Sequence, residues 1–152
     1  MTGGIIKPAI ASLFLPLLLS ACALAQVGAV MHPTVSGSLV VRQSDGSETL
    51  WTPDRCASGD RSYFLGFEFA SSQDQSQLRT VREATTGIVV RWVSAQHVAL
   101  VHAGDCAKLE LDIEPTGWRV NEIREFAGHV QMQCTTADGL SIAGRINVDH
   151  CH

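Results

Sequence analysis

Apolar and polar residues alternate with a period of two along most of the chain beyond residue 36. That period belongs to half-buried β-strands, and no long 3.6-residue period competes with it. Ser38 to Gln43 and Ser47 to Trp51 flank Ser44-Asp45-Gly46 and predict a hairpin. Thr52 to Arg61 carries Pro, Asp, Gly and Cys56 and predicts a loop. Tyr63 to Ala70 predicts an aromatic-rich strand, with Tyr63, Leu65, Phe67 and Phe69 on one side and Phe64 opposite. Ser71 to Ser76 is polar and interrupts the pattern. Leu78 to Arg82 fits a strand or a single helical turn. Ile88 to Val93 and His97 to His102 predict two paired strands. Lys108 to Glu114 alternates strictly, with Leu109, Leu111 and Ile113 inward and Glu110, Asp112 and Glu114 outward. Pro115-Thr116-Gly117 predicts a turn into a strand from Trp118 to Arg124, and Phe126 to Thr135 with Leu140 to Val148 predicts a last hairpin. Roughly eight to ten short strands joined by such turns specify an all-β fold, a small antiparallel β-sandwich or barrel. Helix should stay under about 10 %, against the third that is usual. The central strands are expected at Tyr63–Ala70, Lys108–Glu114 and the Phe126–Val148 hairpin.

The last hairpin can be registered from its side-chain pattern. Val130, Met132 and Cys134 share one face of its first strand; Leu140, Ile142, Ile146 and Val148 share one face of the second. Directly opposed residues point the same way, so even positions must meet even positions. That requires a three-residue loop, Ala137-Asp138-Gly139, ending in a left-handed glycine. Cys134 then faces Ile142, and Met132 faces Gly144. In a regular strand Cys151 would lie some 30 Å beyond Ile142 at about 3.3 Å per residue. A disulfide needs Cα atoms within roughly 7 Å. A Cys134–Cys151 bond is therefore disfavoured unless the chain bends at Gly144 or leaves the sheet near Asp149.

The first residues follow a different pattern. Lys7 precedes an apolar run from Ala9 to Leu19, 11 residues with one Ser and one Pro. Spanning a bilayer as a helix takes roughly 20 apolar residues, so the run is too short for a transmembrane anchor. A short apolar run after a basic residue and before small residues is the pattern of a secretory signal peptide. Leu19-Ser20-Ala21-Cys22 at its end resembles the lipobox of bacterial lipoproteins. The resemblance implies cleavage before Cys22, lipid on its thiol and acylation of the new amine. Ala23-Leu24-Ala25 is a rival small-x-small site that would release a soluble chain starting at Gln26. Ala23 stands where a retention signal would carry Asp, which in Gram-negative lipoproteins implies transport to the outer membrane. The expected organisation is a signal peptide over 1–21, a lipidated tether over 22–36 and a disulfide-bonded β-domain over 37–152.

Without Lys7 the chain has 10 Lys+Arg against 15 Asp+Glu, a formal charge of −5. It contains no basic run. Nucleic-acid binding requires a positive footprint, so that class is excluded, as is strong attraction to anionic lipid. Cys56, Cys106, Cys134 and Cys151 are dispersed with no Cys-x-x-Cys pair, which argues against a redox motif or a zinc ribbon. In an exported protein such a set makes two disulfides. Three pairings are open, with the non-local ones ranked first.

Histidines and carboxylates are the remaining candidate chemistry. His150 and His152 bracket Cys151 and would share a face in an extended chain. His97 and His102 differ in parity, His129 is expected on the solvent side and His32 lies in the tether. A metal site needs three or four converging ligands, and only two are placed, so neither a metal nor a cofactor is expected. Glu110, Asp112 and Glu114 form an outward row that reads as a solvated face or as protection of a sheet edge. Gly139-Leu140-Ser141-Ile142-Ala143 lacks the second glycine of a nucleophile elbow, and no zinc-protease, P-loop or dinucleotide motif occurs. The polar segment Ser71 to Ser76 is a candidate binding loop. The expected function is thus a cell-envelope lipoprotein, exported and anchored to the outer membrane, whose β-domain binds or spaces an envelope component without catalysis. Its expected partners are the membrane, through lipid on Cys22, and an envelope protein. The alternative is an envelope enzyme or metal-handling protein using histidines and acids from separate strands.

Overall fold

The computed structural model describes residues 32–152. Ten strands form two antiparallel sheets of five that pack as a sandwich rather than a closed barrel. The strands are β1 (Thr34–Arg42), β2 (Glu48–Trp51), β3 (Arg55–Ser58), β4 (Gly66–Ala70), β5 (Gln77–Glu83), β6 (Gly87–Val93), β7 (Val98–His102), β8 (Cys106–Val120), β9 (Ile123–Thr135) and β10 (Ser141–Cys151). One sheet runs β2-β1-β10-β9-β8 and the other β3-β4-β5-β6-β7. The only helical turns among the described residues are short 3-10 segments at Gly59–Ser62 and Ala103–Asp105. The export signal and Cys22 lie outside the described residues.

The alternation read from the sequence becomes the core. Leu39 and Val41 of β1, Ile142, Ile146 and Val148 of β10, and Val130, Met132 and Cys134 of β9 cover the inner face of the first sheet. Phe67, Phe69, Leu78, Val90, Trp92, Ala99 and Val101 cover the facing one. The registered hairpin forms as expected. Ile142 opposes Cys134 and Gly144 opposes Met132. Three residues close the loop between the Thr136 and Leu140 backbone pair, and Gly139 sits at φ 89°. Its counterpart Ser44-Asp45-Gly46 closes β1 onto β2 in the same way, with Gly46 at φ 86°. The ambiguous Leu78–Arg82 segment is strand β5.

Five expectations are corrected. β1 starts at Thr34, so residues 34–36 belong to the sheet and not to a tether. The segment read as a loop contains β3, which the backbone of β4 organises by pairing Cys56 with Phe69. The aromatic strand starts at Gly66; Tyr63 adopts a left-handed φ of 57° and is 98 % exposed. Pro115-Thr116-Gly117 does not turn the chain but forms an irregularity within β8, where the register shifts between Pro115 and Arg119. The turn lies at Asn121 and Glu122, both at positive φ. Lys108–Glu114 is not central, because β8 is the edge of its sheet. That position explains the tolerance of Pro115, since an edge strand has one side where no ladder donor is needed.

Candidate functional site

The disulfides organise one region of chemistry. Cys56 pairs with Cys151 and Cys106 with Cys134. The first joins β3 of one sheet to β10 of the other, with Cα atoms 5.8 Å apart. The second joins neighbouring strands β8 and β9. The disfavoured Cys134–Cys151 bond is absent, although the ladder does break near Asp149, the case that left it open. Cys151 reaches β3 because the β10 ladder breaks between Val148 and Cys151, where His150 takes a left-handed φ of 56°.

That break also aims His150 inward at Glu125. His150 Nδ1 lies 2.6 Å from Glu125 Oε1, and Thr116 Oγ1 donates to the same oxygen at 2.8 Å. Glu125 is only 2 % exposed. Burial opposes its charge, but the hydrogen bonds from His150 and Thr116 and the nearby histidine charges outweigh it and hold the carboxyl below its usual range. The hydrogen bond to Glu125 raises His150 above its usual value; desolvation opposes this, and Asp149 and Glu125 add favourable charge. Both shifts favour the charged forms, so the two groups support each other as a part-buried ion pair. His152 does not join it as a ligand: its Nδ1 contacts the His150 carbonyl at 3.1 Å. Among the described residues no group of three His, Cys, Asp or Glu side chains converges as a metal site.

The other candidate residues are scattered. His97 Nε2 lies 3.3 Å from Asp138 Oδ2, and His129 Nδ1 lies 3.6 Å from Asp112 Oδ2 across the β8–β9 ladder. Val130 faces the core and His129 lies on the opposite, solvent side of the sheet, half-buried beside Asp112. His102 is exposed, and its backbone N–H donates to Asp105. Glu110, Asp112 and Glu114 line the solvent side of the β8 edge.

A second region went unnoticed in the sequence. Trp51 ends β2 opposite Leu39, and Trp92 lies on β6 opposite Leu78 and Ala99, so each indole projects from the inner face of its sheet. They meet edge to face, with ring centroids 5.0 Å apart and planes at 90°. Together with Val41, Gln43, Thr49, Asp74, Ser94, Ala95 and Gln96 they line a hollow of about 240 Å³. Neither indole N–H has a hydrogen-bond partner among the described residues. Asp74 comes from the Ser71–Ser76 loop that the sequence marked as a candidate. Its Oδ1 accepts from the Ser76 N–H at 3.0 Å and from the Ser76 hydroxyl at 2.5 Å. Burial opposes its charge, yet these bonds and one from Ser71 keep its carboxyl below the usual range. The residues of the hollow are spread from Val41 to Gln96, and no local motif announces them. The available signal was two tryptophans at core parity, each carrying a donor that a core must satisfy.

No family model, curated protein or solved structure matches the chain.

Proposed function

We propose that this chain is an exported, outer-membrane lipoprotein, held by lipid on Cys22, whose β-sandwich is a non-enzymatic binding domain for a small envelope component. The observation that carries the binding role is the hollow between Trp51 and Trp92. Loops from both sheets surround it, on a scaffold clamped by two disulfides. Binding sites are characteristically loops held on a rigid frame. The disulfides fit an oxidising compartment outside the cytoplasm, and no described helix is long and apolar enough to cross a membrane. Anchoring rests on the lipobox-like run at Leu19–Cys22. Intact mass of the membrane fraction tests it: a lipid-modified chain starting at Cys22 is expected. An unmodified chain starting at Gln26, or a Cys22→Ser variant that still partitions with membranes, overturns it. Binding is tested by following the indole N–H resonances of Trp51 and Trp92 against a panel of small polar molecules. Saturable shifts are expected for at least one; a panel that moves neither overturns the binding role.

One observation favours the enzymatic alternative. Glu125 and His150 bring an acid and a histidine from separate strands within 2.6 Å of each other. The hydroxyl that touches the pair, Thr116 Oγ1, donates to Glu125 and is not bonded to His150. The pair's tight mutual hydrogen bond beside a disulfide reads as a structural clamp.

A further inference from the structure

Resting on the binding role proposed above, we infer that the hollow between Trp51 and Trp92 takes a neutral, hydroxyl-rich molecule of monosaccharide size. Three properties of its lining select this class.

The first is unspent hydrogen-bonding capacity. Trp51 and Trp92 are 2 % and 3 % exposed, and their indole nitrogens are shielded from solvent as well as unpartnered. A buried donor left without an acceptor is destabilising, and folded proteins keep few such groups. The edge-to-face contact can place one N–H near a ring, but two indoles cannot both be satisfied that way. The side chains of Gln43, Thr49 and Gln96 around them also make no hydrogen bond among the described residues. Two buried donors without partners therefore border one hollow, whose rim carries the hydrated side chains of Gln43, Thr49 and Gln96. An apolar occupant would strand them, at a penalty for each.

The second property is charge. The lining contains one carboxylate, Asp74, and no Lys, Arg or His. Asp74 is held ionised by Ser76 and Ser71. A phosphate or carboxylate would meet this negative charge with no cation to offset it. A ligand with hydroxyl donors for Asp74 and acceptor oxygens for the indoles and carboxamides satisfies every group.

The third property is size. At about 240 Å³ the hollow falls below the roughly 300–1,000 Å³ of sites for drug-sized ligands. It suits a single sugar ring or a comparable polyol rather than a polymer segment. The indoles act as donors here and not as stacking platforms, because almost none of their surface is exposed. Both N–H groups are covered in this structure, so the inferred binding requires the side chains over them to change rotamer, a common adjustment at binding surfaces.

The test uses the full mature chain with both disulfides formed, 15N-labelled, and four probes of one shape: N-acetylglucosamine and methyl glucoside as neutral forms, glucosamine as cation and glucose 6-phosphate as anion. A neutral probe should shift the Trp51 and Trp92 indole N–H resonances saturably while Trp118, which is outside the hollow, stays still. Trp51→Phe removes one donor and keeps a ring, and should weaken binding about five- to tenfold. Gln96→Ala, at an exposed rim position, should weaken it without perturbing the fold, which keeps the test decisive if Trp51→Phe does not fold. Shifts from only the charged probes overturn the ligand class and leave the binding role standing. Shifts from none of the four overturn the class as well, and the broader panel described above then decides whether the binding role falls with it.

Discussion

Removing the two disulfides one at a time should destabilise the protein unequally. Cys56–Cys151 closes a segment of 95 residues and Cys106–Cys134 one of 28. In the chain-entropy picture a cross-link restricts the unfolded chain by an amount that grows with the logarithm of the closed loop. That gives about 4.7 kcal/mol for the long link and about 3.6 kcal/mol for the short one. Alanine is the right replacement, because serine would bury a hydroxyl. Each pair includes one fully buried cysteine, Cys151 at 0 % and Cys134 at 2 % exposure, so the small voids left by Cys56→Ala/Cys151→Ala and Cys106→Ala/Cys134→Ala nearly cancel in the comparison. The expected gap is about 1 kcal/mol, or about 4 °C in Tm for a domain of some 120 residues. Urea titration of both double variants at one pH measures it. If losing Cys106–Cys134 costs as much as losing Cys56–Cys151, the unfolded-chain account is refuted. Strain or packing in the folded state would then set the values.

Four further outcomes follow from the same geometry. The Glu125–His150 pair should stabilise the fold most between about pH 4.5 and 6.5, the ordinary carboxylate and imidazole values. Its contribution fades as pH rises through the elevated His150 value and as pH falls through the depressed Glu125 value. In denaturation curves across pH, His150→Gln should flatten the loss above pH 6.5 or so; an unchanged profile counts against the pair. Gly144→Ala should cost about 2–3 kcal/mol, because a Cβ there collides with the Ser38 carbonyl and φ is 143°; thermal melts check it. Neutralising the edge row as Glu110→Gln/Asp112→Asn/Glu114→Gln should promote self-association through β8, visible by sedimentation; a variant that stays as dispersed as the parent argues against edge protection. Thiol counting after denaturation without reductant should find Cys56, Cys106, Cys134 and Cys151 all oxidised, and two free thiols would contradict the pairing.

The hairpins were legible because two constraints agreed. Core parity on β9 and β10 allowed one register, and Ala137-Asp138-Gly139 supplied the left-handed glycine that register needs. Where such signals disagreed, the stronger local cue misled. Pro115 and Gly117 outweigh Asn121-Glu122 as turn residues, yet the chain turns at the latter. An edge strand absorbs a proline, and tertiary pairing holds a glutamate at positive φ. β3 was hidden by Pro53, Asp54 and Gly59, and its strand character comes from β4 rather than from its own residues. His150 could not be aimed by parity, since the ladder break reverses its side. Trp51 and Trp92 are far apart in the chain and become one feature only when the sheets face each other.

The course of β1 gives the domain a polarity. Thr34 pairs with Asp149 at one end of the strand, close to Cys151, and Arg42 pairs with Glu48 at the other, beside the hollow. Eight residues at about 3.3 Å each separate those ends by roughly 26 Å. Whatever precedes Thr34 therefore joins the domain at the pole buttressed by Cys56–Cys151, and a pull along the chain is borne there. The hollow between Trp51 and Trp92 lies beside the opposite end of β1, so load entering at Thr34 and chemistry at the hollow fall at different ends of one strand.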